Sequence, residues 1–119
     1  MEEITYTEAI LQEYKAGMGD FAEKAPDIAS TYHKFTEACF EEGALDAKQK
    51  QLIALAISVH ARNEHCIVYH TKGCMDAHAS EAEMMEAVGI AAALGGGSAM
   101  SHGVTVMQDA LTDLRGPLQ

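Results

Sequence analysis

The chain has no tryptophan, two prolines and only 6% aromatic residues, so large rings contribute little to whatever core its 119 residues build. It also lacks segments in which Val, Ile, Thr or aromatics alternate with polar residues, the period-two pattern that a half-buried strand requires. Basic side chains are scarce. Eight Lys and Arg against eighteen Asp and Glu leave a formal charge of −10, which gives no positive field to hold a phosphate backbone or an anionic membrane. Nucleic acid and membrane surfaces are therefore not expected partners. Three cysteines, Cys39, Cys66 and Cys74, are too few and too odd in number for a disulfide framework, which turns attention from stapling to thiol reactivity. Met1-Glu2-Glu3-Ile4 has neither the basic start nor the apolar core of a secretory signal, so a cytoplasmic setting with reduced thiols is expected. Residues 87–108 carry no charge and are long enough to span a bilayer, but Gly95-Gly96-Gly97 interrupts them and Ala and Gly supply little apolar surface.

With 48% hydrophobic and 22% charged residues the composition is globular, and the length suits one domain over residues 1–119. Helical signals run throughout and predict an all-α fold of five or six helices. Thr5-x-x-Glu8 reads as a capping box that opens a first helix ending near Gly17 or Gly19, with Ile10, Leu11 and Tyr14 on one side. Pro26 suits the first turn of a second helix, where Ile28, Tyr32, Phe35 and Cys39 follow helical spacing until Gly43. Asp46 caps a third, whose stretch 52–57 (LIALAI) is apolar all round and predicts a central position without a solvent face. Asn63 ends that segment and caps a fourth helix to about Ala77. Ser80-x-x-Glu83 opens a fifth, and the glycine triple is a hinge before a last helix over about residues 98–114. A Walker loop is excluded there, because no strand precedes the glycines and no Lys-Ser/Thr follows. The seven methionines read as core filler.

Chemistry concentrates in residues 61–70 (ARNEHCIVYH). With Asn63 as the cap, Cys66 falls in the first helical turn, where free backbone N–H groups and the positive end of the dipole favour a thiolate. His70 lies four residues on, on the same helix face, placed to exchange a proton with the Cys66 sulfur, and Tyr69 borders that face. Cys66 is accordingly expected to be the most nucleophilic of the three thiols. The plainer alternative is a buried cysteine beside a histidine that bonds a carbonyl. Cys66, His70, Cys74 and His78 also recur at four-residue intervals, but eight residues of helix rise about 12 Å, too far for one zinc with ligands about 2.0 to 2.3 Å away. Neither a metal nor another cofactor is expected.

The spans 45–57 (LDAKQKQLIALAI), 66–70 (CIVYH), 81–87 (EAEMMEA) and the glycine triple, within residues 45–110, resemble the carboxymuconolactone decarboxylase family, in particular its AhpD-like alkylhydroperoxidase branch. The resemblance implies an all-helical fold, a homo-oligomer, often a trimer or hexamer, and thiol peroxidase or disulfide reductase activity beside peroxiredoxins. The branch's site pattern is a Glu, eleven residues, then Cys-x-x-Cys-x-x-x-His, with a His often before the second Cys. Laid on this chain, the second Cys is Cys66, the preceding His is His65 and the last His is His70. Asn63 stands where the first Cys would be, and Gln51 where the Glu would be.

Both departures have chemical meaning. A Cys66 sulfenic acid has no resolving sulfur at position 63, so resolution falls to Cys39, Cys74, another subunit, a small thiol or a redox protein. Gln51 removes an anionic orienter from His70 but still offers it a hydrogen bond. Three functions follow as expectations: a one-cysteine peroxidase or oxidoreductase with Cys66 as nucleophile, His70 as base and His65 as polarising neighbour; a catalytically reduced member serving as a binding or scaffold protein; or a decarboxylase-type enzyme without a redox thiol.

Overall fold

The computed structural model describes residues 3–116, and every regular element among them is helical. They are α1 (Tyr6–Lys24), α2 (Pro26–Phe40), α3 (Ala47–Ala61), α4 (Glu64–Asp76), α5 (Glu81–Gly95), α6 (Gly97–His102) and α7 (Gln108–Arg115). A π-helical turn, Gly103–Met107, joins α6 to α7, so these form one continuous rod and the described residues make six rods. No helix among the described residues is long and apolar enough to cross a membrane.

Local signals place most of the boundaries. Full capping boxes open α1 at Thr5 and Glu8, α3 at Asp46 and Gln49, and α5 at Ser80 and Glu83. Each satisfies two backbone donors that the first turn would otherwise leave free. The expected end of α1 at Gly17 or Gly19 is wrong, because the helix runs on to Lys24. Each glycine costs about 1 kcal/mol relative to alanine, too little to break a helix, whereas Pro26 drives the preceding Ala25 out of the helical region to φ −140°, ψ 67°. Proline, not glycine, ends α1. Likewise α2 stops at Phe40, short of Gly43. The glycine triple is a hinge: Gly95 closes α5, Gly97 opens α6, and Gly96 takes φ +76°, ψ −159°, a conformation essentially confined to glycine.

The core forms where α3 packs on α4 and α5. Leu55 and Val59 of α3 meet Ile67 and Cys74 of α4, Met84, Val88 and Ala91 of α5, and Ala99, Met107 and Leu111 of the last rod. The π-helical turn lies close against α5, since a Cβ on Gly103 would sit 2.4 Å from Val88 Cγ1. A smaller cluster of Ile10, Val68 and Ala110 ties α1 to α4 and α7. Met84 and Met107 act as filler, both essentially inaccessible.

One apolar expectation needs correction. Within one chain α3 does have an open face, for Ile53 is 46% and Ile57 63% exposed. On α2 only Ala29 is buried, and Ile28, Tyr32, Phe35 and Cys39 face outward. Helical periodicity identifies a stripe but not what covers it. With one residue between α1 and α2, their hairpin leaves the α2 stripe outside the core.

Candidate functional site

Cys66 occupies the third position of α4, and its N–H donates to Asn63 Oδ1 over 3.0 Å. Asn63 is thus a side-chain cap, as its place before an apolar run implies. The α3 to α4 junction is tight: Arg62 takes a left-handed conformation (φ 57°, ψ 37°) that closes α3 immediately before Asn63. Cys66 is therefore held at a helix start, but it is half-buried. Burial pushes its thiol above the ordinary range, in the direction opposite to the one a helix start favours.

His70 lies one turn further along α4, with Nδ1 3.0 Å from Gln51 Oε1 of α3. The carbonyl oxygen only accepts, so Nδ1 carries the proton and the neutral ring keeps its lone pair on Nε2. Burial lowers the His70 pKa, which keeps the ring neutral at pH 7. Phe40 at the end of α2 stacks on the imidazole, centroids 5.7 Å apart and planes 14° apart, and Tyr69 meets its edge at 5.2 Å. Among the described residues no hydrogen bond joins Cys66 Sγ to His70, whose Nδ1 is engaged by Gln51. His65 turns instead to α1, with Nε2 3.0 Å from Glu13 Oε1.

Helix α1 runs alongside this site. The Tyr6 hydroxyl donates to Glu64, and Thr7 Oγ1 donates to Asp113 of α7 over 2.7 Å. Tyr14 packs on Tyr69 with ring centroids 5.8 Å apart. Burial raises the Tyr14 pKa most, followed by the charges of Tyr32, Tyr69 and Cys66. Beside it an open apolar groove of about 300 Å³ runs between α1 and α2, lined by Tyr14, Met18, Phe21, Ile28, Ala29 and Tyr32.

The structure brings His70 and Gln51 together, sets Asn63 on the Cys66 backbone and directs His65 away to Glu13. Glu13 and Phe40 were missed in the sequence, because each enters from another element. Tyr14 carried only the signal of an apolar helix face. Cys74 is fully buried and its pKa is pushed up to about 12, a core residue rather than a reactive one. His78 falls beyond the end of α4 at φ 65°, so the four-residue Cys/His row is not one helix face. Among the described residues no three His, Cys, Asp or Glu side chains converge as a metal set.

The chain belongs to the carboxymuconolactone decarboxylase family, whose model matches residues 26–109. The match begins in α2, well before residue 45, and leaves α1 outside. An uncharacterised protein from the cox locus of Paracoccus denitrificans is 32% identical over 87 residues, 73% of this chain and 78% of that one. The fold is shared with a family member from Legionella pneumophila in its apo form, at TM-score 0.83 and 24% identity over 89% of this chain and 97% of that chain. A family protein from Thermotoga maritima, for which an antioxidative response is the suggested role, superposes at TM-score 0.79 with 28% identity, covering 88% of this chain and 89% of that chain.

Proposed function

We propose that the protein is a thiol-dependent peroxidase of the AhpD-like branch, working with one redox cysteine and an external thiol. The observation that carries this reading is Cys66 in the first turn of α4, one turn from a neutral His70 whose Nδ1 is held by Gln51. The antioxidative role suggested for the Thermotoga relative points the same way.

In this reading His70 Nε2 accepts the Cys66 proton, directly or through one water, at the i, i+4 spacing of a helix face. The thiolate attacks a hydroperoxide: an S–O bond forms as the O–O bond breaks, and the departing alkoxide or hydroxide takes the proton from His70. The Cys66 sulfenic acid then condenses with a small thiol, releasing water and leaving a mixed disulfide. A second thiol displaces Cys66 and departs as the oxidised disulfide. Asn63 offers no internal resolving sulfur. The raised Cys66 pKa and the missing partner sulfur both make turnover slow, and they favour a catalytically reduced binding or scaffold member as the second reading.

The decisive experiment follows peroxide loss with excess dithiothreitol and traps the sulfenic acid with dimedone. The peroxidase reading requires a dimedone adduct on Cys66 and loss of turnover in Cys66→Ser. Equal rates for the two proteins, with no adduct, leave the scaffold reading.

We further propose that the working form is a homo-oligomer, a trimer or hexamer. The support is the apolar surface one chain leaves open: Ile57 is 63%, Ile90 64% and Leu94 79% exposed, on helices α3 and α5 that pack together.

A further inference from the structure

We propose that Gly73 is a positioning residue for the Cys66 site, because the missing side chain keeps open the slot in which the Gln51 amide lies while it holds His70. A Cβ at position 73 would stand 2.2 Å from Gln51 Oε1, 2.6 Å from its Cδ and 3.0 Å from its Nε2. The first two distances are closer than carbon approaches any unbonded oxygen or carbon. The same Oε1 receives His70 Nδ1 at 3.0 Å, so the atom that would be struck is the one that sets the imidazole.

Position 73 lies inside α4, three residues after His70, and residues three apart share a helix face. Ring and slot therefore open toward α3 together. A helix interior disfavours glycine relative to alanine, and here the close approach of Gln51 gives the glycine a physical reason. What a methyl would displace is the far end of a flexible side chain, not backbone. An alanine at 73 moves the amide off His70 while the helix itself gains propensity, which separates the effect on the site from the effect on folding.

Without the Gln51 oxygen, Nδ1 has no fixed acceptor and the lone pair is no longer confined to Nε2, the nitrogen available for the Cys66 proton. This catalytic consequence rests on the peroxidase reading. The steric one does not.

The test compares wild type, Gly73→Ala, Gln51→Ala and the double variant by ¹⁵N NMR of the histidine ring nitrogens, with His70 assigned by its loss in His70→Gln. Wild type should show the Nδ1–H form. Both single variants should lose that preference to the same degree, and Gly73→Ala should change nothing further once Gln51 is absent. Alkylation of Cys66 by iodoacetamide at pH 7 should fall about 10-fold in Gly73→Ala, part of the general-base contribution, with no drop in melting temperature. Unchanged His70 signals in Gly73→Ala, or an equal change on the Gln51→Ala background, overturn the proposal. If Gly73→Ala alone fails to fold while the double variant folds, the slot is upheld by the coupling itself; if both fail, Gly73 serves other packing and the proposal falls. A wild type that shows the expected NMR pattern without peroxide turnover overturns the peroxidase reading and leaves the slot standing.

Discussion

Replacing Asn63 by cysteine perturbs the site in two opposed ways, and the structure sets the size of each. The Asn63 side chain caps α4 through a 3.0 Å bond from the Cys66 N–H. A thiol is a weak acceptor in its place, so the reduced variant should lose about 1 kcal/mol, or about 4 °C of melting temperature for a chain of this size. Against that, sulfurs at positions 63 and 66 lie at the first turn of one helix, where the first and fourth residues of a Cys-x-x-Cys are close enough to bridge. Oxidation then supplies the internal resolving step that wild type lacks. Adding Gln51→Glu places a carboxylate at His70 Nδ1, which favours the imidazolium that forms as Cys66 loses its proton. A general-base contribution is typically about 10²- to 10⁴-fold, so partial recovery is measurable. The assay is initial peroxide consumption with a dithiol by wild type, Asn63→Cys and Asn63→Cys/Gln51→Glu, each with and without Cys66→Ser. Rates should rise through the series and vanish in every Ser background. If all six proteins match buffer, the reasoning from Cys66, His70, Asn63 and Gln51 to peroxidase chemistry fails.

Three further outcomes are expected. In native protein, brief alkylation should label exposed Cys39 and half-buried Cys66 but not Cys74, which should react only after denaturation; His70→Gln should slow labelling at Cys66 and leave Cys39 unchanged, and equal slowing at both would separate His70 from the thiol. Because burial lowers the folded-state pKa of His70, the unfolded chain binds the extra proton first, so stability is intact above about pH 6.5 and declines as pH falls from there toward the folded value. Urea midpoints between pH 7.5 and 5 should therefore show a shallower acid decline in His70→Gln than in wild type, and parallel curves would refute this. Light scattering at micromolar concentration should give a multiple of 12.8 kDa, with smaller species in Ile57→Glu; a mass near 12.8 kDa for wild type would remove the oligomer proposal.

Short-range physics was legible in the chain itself. Capping boxes at Thr5 and Ser80, the caps at Asp46 and Asn63 and the hinge at the glycine triple each depend on residues within about four positions, so the all-α class, the helix starts and the place of Cys66 at a helix end followed from spacing. The i, i+4 relation of Cys66 and His70 is likewise local geometry. Tertiary structure decided what those local pieces meet. It buried Cys66 enough to raise its pKa, stacked Phe40 on His70, and paired His65 with Glu13 from a helix outside the family match. It also turned Ile57 outward, where the all-round apolar run 52–57 implies a helix without a solvent face, and it left outside the core the α2 stripe that helical spacing only marks as apolar. Gly73 shows the difference most sharply. In sequence it is a mild helix defect, and only the approach of α3, bringing the Gln51 oxygen to where a Cβ would be, gives it a role, because desolvation and steric exclusion depend on neighbours that the chain supplies from far along its length.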